Sequence, residues 1–157
     1  MRSNDEVQVY ELTSTTVWID ENGIICARYK DVPSNLETFK ETRTLIKKLL
    51  NGRRACALID VTHAWPQDSQ TRELAASEIP SLYKAMAFVS RSEVGSMVVK
   101  VFMRLKPQPI PMKLFHTEKE AMNWLQQYLD DDLVQNVLRV RGRRLQKRPN
   151  SYEEKQA

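Results

Sequence analysis

The chain has 157 residues, 41% of them apolar and 28% charged, with a net charge of +4. That length suits one domain of about 100–150 residues with an extension, and the composition excludes a chain disordered throughout. The charge is unevenly placed: residues 1–138 hold 17 Lys/Arg against 18 Asp/Glu, whereas Arg139, Arg141, Arg143, Arg144, Lys147 and Arg148 stand together without an acid.

The first residues lead into no signal-peptide core, and no apolar run approaches the roughly 18–20 residues needed to cross a bilayer. A cytoplasmic protein is therefore expected. Cys26 and Cys56 stand far apart, each inside an apolar strand-like run, and read as buried, reduced thiols. With no Cys pair at ligand spacing and two histidines in all, no metal or other cofactor is expected.

In chain order, residues 7–12 are a short strand or an extension. The β-branched and aromatic runs at 15–20 and 24–29 flank Asn22-Gly23, the pattern of a hairpin. Pro33 stops the second strand, and Ser34 with Glu37 reads as a capping box for a helix. Leu36, Phe39, Ile46, Leu49 and Leu50 share one face of that helix, and Asn51-Gly52 ends it. The continuous run Ala55–Val61 predicts a strand buried on both faces.

Asp68-Ser69 opens the next helix, which Pro80 ends or kinks, and 85–89 is again a strand. The segment 92–105 reads as a strand by propensity, but Val94, Met97, Val98, Val101, Phe102 and Leu105 recur at helical spacing behind a Ser92 cap. A helix with that apolar face is predicted. The last strand spans 110–115, and Thr117 with Glu120 caps a final helix carrying Ala121, Met122, Leu125, Tyr128 and Leu129.

The expected fold class is thus α/β. An N-terminal hairpin leads into αβ units, giving a mostly parallel sheet of four to five strands flanked by four helices. Three regions follow: 1–14 as an extension or short strand, 15–129 as the α/β domain, and 130–157 as a basic extension, part helical.

The runs Ala57–Val61, Lys84–Ser90 and Pro111–Phe115, followed by Glu118–Leu125, resemble the STAS superfamily of bacterial, SpoIIAA-like domains, whose fold is also compared with the lipid-binding Sec14 (CRAL-TRIO) type. The resemblance spans about 15–129, is closest to uncharacterised members, and implies a regulatory or protein-interaction role. Phosphorylation-switched members carry a strand ending in Asp or Asn, a loop, and an Asp-Ser pair opening a helix. Asp60 and Asp68-Ser69 reproduce that order, which makes Ser69 the candidate phospho-acceptor. Gln70-Thr71 stands where the family has Gly-Leu.

In open parallel sheets, ligands bind beyond the carboxyl ends of the strands. The residues collected there are Asp60, Thr62, His63, Asp68, Ser90, Arg91, Ser92 and His116. A His pair near Asp60 could serve acid–base chemistry, but no nucleophile with a paired base is evident and the four glycines provide no phosphate loop. No enzymatic activity is expected.

Met86, Phe88, Met97, Phe102, Met103 and Trp124 read as core, or as the lining of a pocket for an amphipathic ligand. Trp65, in a loop before Pro66, covers the strand-end region or meets a partner. The functional expectation is a non-enzymatic regulatory or protein-interaction module. The alternatives are a binder of a small amphipathic or lipid-like ligand between helix and sheet, and a nucleic-acid-associated protein using the basic C-terminal cluster. Pairing of two copies through an exposed apolar helix face is a further expectation.

Overall fold

A computed structural model describes residues 7–129. The hairpin forms as expected from β2 (Thr15–Ile19) and β3 (Ile25–Tyr29), paired antiparallel. Its turn works differently from the Asn-Gly expectation. Gly23 alone adopts a positive φ, of 81°, and the Asp20 carboxylate accepts from the Asn22 and Ile24 amides. Residues Val9–Glu11 form β1, an antiparallel edge strand on β2. Among the described residues the sheet therefore has six strands, more than the four to five expected, because this segment pairs with the hairpin.

From β3 the chain alternates α1 (Leu36–Leu50), β4 (Ala55–Asp60), α2 (Ser69–Leu82), β5 (Tyr83–Val89), α3 (Glu93–Leu105) and β6 (Met112–Phe115). A fourth helix, α4, occupies 118–129. Strands β3, β4, β5 and β6 are parallel neighbours in chain order. Right-handed crossovers between strands in that order carry every connecting helix over the same face. Accordingly Ile46 and Leu50 of α1, Ala75 and Ile79 of α2, and Val99 and Phe102 of α3 share one core with Ala57, Ile59, Met86 and Phe88. The other face is covered by α4, whose Ala121 and Leu125 pack on Cys26, Leu58, Ala85 and Ala87.

Several local expectations are corrected. The cap of α1 is Asn35 with Thr38, one residue beyond Ser34 and Glu37: the Asn35 side chain accepts from the Thr38 amide, and the Thr38 hydroxyl accepts from the Asn35 amide. Asn51 (φ 51°) and Gly52 (φ 86°) close that helix in the left-handed region, as read. Pro80 does not end α2, which continues to Leu82 and passes directly into β5 at Tyr83, so this strand starts two residues earlier than predicted. A proline near the end of a helix leaves one carbonyl without its amide, a small loss where the turn is closing.

The largest correction concerns α3. It is a helix capped by Ser92, as its periodicity predicts. Its buried residues, however, are Gly95, Val99 and Phe102, whereas Val94, Met97 and Leu105 are exposed. Met86, Phe88 and Phe102 belong to the three-helix core, whereas Met97 is exposed and Trp124 packs on the opposite face, so only part of the expected Met and aromatic set shares one region.

Candidate functional site

Parallel strands bring their carboxyl ends to one edge, and the predicted set separates there into a connected group and isolated members. Asp60, at the end of β4, accepts from the Thr62 amide and lies 3.7 Å from Arg28 Nε and 4.0 Å from an Arg91 guanidinium nitrogen. The Arg28 guanidinium also sits 5.2 Å from the centre of the Trp18 ring. A hollow of about 50 Å³ bounded by Trp18, Arg28, Asp60, Arg91 and Glu118 opens on the α4 side.

The hydroxyls of the group are committed to holding loops. Thr62 Oγ1 accepts from the Arg91 amide, Ser92 Oγ donates to the Thr62 carbonyl, and Ser90 Oγ donates to the Ser92 carbonyl. Such short side-chain-to-backbone bonds lock turns. His63 and His116 are both exposed and make no hydrogen bond or ion pair among the described residues. The structure thus gathers Asp60, Thr62, Ser90, Arg91 and Ser92, and leaves the two histidines outside that network.

Ser69 is exposed as the first residue of α2. The adjacent Asp68 side chain already accepts the Thr71 amide, and that bond lowers the Asp68 pKa. A phosphate on Ser69 would share this helix end with a carboxylate. Arg139, Arg141, Arg143, Arg144, Lys147 and Arg148 lie outside the described residues. Cys26 and Cys56 are buried thiols not joined in a disulfide, and burial, followed by the charges of Asp20 and Glu118, pushes the Cys26 thiol up to about 12. Among the described residues no cluster of His, Cys, Asp or Glu is arranged to hold a metal ion. No described helix is long and apolar enough to cross a membrane.

A second site lies where a pocket between helix and sheet is expected, with Met86, Phe88 and Phe102 of the candidate lining in its wall. Between the sheet and α1–α3 lies a cavity of about 100 Å³ with apolar walls that include Phe39, Ile79, Met86 and Phe102. Polar groups reach it as well. Thr15 and Thr42 are hydrogen-bonded at 2.8 Å, and Arg43 donates to Glu78 at 2.8 Å. Burial pushes the Glu78 carboxyl up, but hydrogen bonds from Arg43 and Lys47 outweigh it and hold the pKa below its ordinary value. Tyr29 and Tyr83 also border the cavity, and burial raises both phenols. Trp65, 42% exposed, closes one side, held by its indole N–H to Asp31 at 2.8 Å.

One polar member of the cavity wall was visible in the sequence. Thr42 interrupts the apolar face of α1 between Phe39 and Ile46, where a leucine would otherwise be expected.

Residues 17–129 match the family model described as Domain of unknown function (DUF7793). The chain belongs to this family. No curated protein matches it. Among solved structures it is similar to an uncharacterised DUF3478-family protein with a SpoIIAA-like fold from Shewanella loihica PV-4. The identity is 16%, the TM-score is 0.47, and the match covers 76% of this chain and 92% of the other. The DUF7793 match runs from the middle of β2 to the last described turn of α4, so it contains both the strand-end group and most of the cavity wall.

Proposed function

We propose that the protein is a non-catalytic binding module that takes a small amphipathic molecule into the cavity between the sheet and α1–α3. The carrying observation is the combination of an apolar interior with hydrogen-bonding groups on three elements: Thr15, the Thr42–Arg43 pair and Glu78. Binding sites are typically apolar with a few placed polar groups. Size narrows the ligand class. A cavity of about 100 Å³ is closer to the roughly 150 Å³ that accommodates benzene than to the roughly 300–1,000 Å³ of drug-sized sites. The ligand is accordingly a single ring or a short chain with one polar group.

The test is organic extraction and mass spectrometry of protein purified from its native cells, together with amide NMR titration using benzyl alcohol. A released molecule of defined mass, or shifts at Phe39, Ala75 and Ile79, supports the reading. No released molecule and no shift at about 10 mM alcohol, where even weak fragments bind, overturns it.

The exposed apolar residues of α3 favour a second reading, a regulatory protein-interaction role. Contiguous exposed apolar surface on a helix marks association surfaces. That role predicts that a polar substitution at Met97 abolishes binding to a partner without affecting the small-molecule cavity. A Met97→Glu protein that keeps all its partners would remove this reading.

A further inference from the structure

α3 carries two apolar faces, and one of them does not meet the core. Gly95, Val99 and Phe102 are buried, whereas Val94, Met97 and Leu105 are 57%, 61% and 53% exposed, with Val101 partly buried between them. Positions 94, 97, 101 and 105 follow steps of three, four and four, which form one ridge along a helix. Beside the ridge runs a groove of about 470 Å³ whose other wall is Pro66, Gln67 and Arg72.

We propose that this ridge is the interface of a twofold homodimer in which α3 lies antiparallel against α3 of a second copy. The proposal rests on the protein-interaction reading. Two features of the helix favour a second copy. First, the ridge is apolar along its whole length, so a reversed copy meets an apolar residue at every position. An antiparallel copy places Val94 opposite Leu105 and Met97 opposite Val101, the self-complementarity that a twofold interface requires.

Second, the flanking charges are arranged for the same pairing. Helical spacing puts Glu93, Lys100 and Arg104 on one flank of the ridge, with the acid at the start and the bases farther on. In an antiparallel twofold pair, this flank meets its own copy end to end, so Glu93 faces Arg104 of the second copy. Neither Glu93 nor Arg104 has an ion-pair partner among the described residues, while nearby Lys106 is already bonded to Glu73. Flanking charges of this kind set partner and orientation. Helices that lie on anionic membranes are rich in bases on their polar face, whereas this flank carries two bases and an acid. The helix dipoles also oppose each other in this arrangement.

Sedimentation of the full chain tests the proposal. The wild type is expected to pass from monomer to dimer between about 1 and 100 μM. Met97→Glu is expected to raise the dimer Kd at least about tenfold, with the thermal midpoint unchanged at concentrations where both proteins are monomeric, because the side chain is exposed in the monomer. Glu93→Arg and Arg104→Glu are each expected to weaken the dimer about threefold or more, and the double variant to regain most of the loss.

A wild type that is monomeric at about 100 μM overturns the proposal, as does a dimer indifferent to Met97→Glu. A dimer that does not recover in the double variant overturns the antiparallel arrangement. Monomeric protein that pellets with anionic phospholipid vesicles assigns the ridge to a membrane and overturns the second copy. Monomeric protein that needs Met97 to hold a different protein also overturns the second copy, but keeps the broader interaction reading.

Discussion

Gly95 lies directly against the Val61 carbonyl. A methyl group added at Gly95 would collide with that oxygen and come within 2.8 Å of the Ser90 hydroxyl oxygen. The contact brings α3 close to the end of β4, and the Ser92 hydroxyl secures the approach by accepting from the Gly95 amide and donating to the Thr62 carbonyl.

Two effects oppose each other at this position, which makes Gly95→Ala decisive. Helix propensity favours alanine by about 1 kcal/mol. Overpacking against backbone costs about 1–3 kcal/mol or more. The steric cost should win, because a backbone carbonyl cannot move aside as a flexible side chain can. Urea denaturation should show Gly95→Ala destabilised by about 1–2 kcal/mol, and a stabilised variant would refute the close approach.

Thr15 and Thr42 share a buried hydrogen bond between β2 and α1. Thr42→Val leaves the Thr15 hydroxyl without this partner and should cost about 1–3 kcal/mol. Changing both residues to valine removes the pair together and should recover part of the loss. A double variant less stable than the sum of the single changes would contradict the pairing.

The Glu78 carboxyl has a folded-state pKa below its ordinary value of 4.5, because bonds from Arg43 and Lys47 outweigh the opposing effect of burial. Its contribution to stability is therefore present above about pH 4.5 and is lost as pH falls through the lower folded-state value. Glu78→Gln should be less stable than wild type by about 1–2 kcal/mol at neutral pH. The difference should shrink steadily toward pH 3 in chemical denaturation curves. A difference that does not vary with pH would exclude the ion pairs as its source.

Cys26 and Cys56 are buried, and the Cys26 thiol is raised to about 12. At pH 8 both should react with a disulfide reagent at least about 100-fold more slowly in the folded protein than in urea, since the thiolate is the reactive form and access is blocked. Rapid labelling of the folded protein would contradict this packing.

Much of the fold was legible in the sequence because it rests on short-range signals. The Asn51-Gly52 stop, the Asp68 and Ser92 caps, and the continuous apolar runs of β4 and β5 each act within a few residues. Pattern reading therefore recovered the α/β order and the helix at 93–105 despite its strand-like composition. The Asn35 cap was misread because Ser34 and Asn35 both suit the position, and backbone geometry chose between them. The strand-end group was found because parallel strands must end on one edge.

The cavity and the buried side of α3 were decided by tertiary structure. Two apolar faces on one helix look alike in sequence, since periodicity reports that a face exists but not what meets it. The choice was made by how closely the helix approaches β4: Gly95 permits contact with Val61, turning Val99 and Phe102 inward and leaving Val94, Met97 and Leu105 outside. The polar wall of the cavity likewise joins residues 15, 42, 43 and 78, which no local pattern connects. Order along the chain was set by local propensity and periodicity, while the inward face of each helix was set by steric fit between elements distant in sequence.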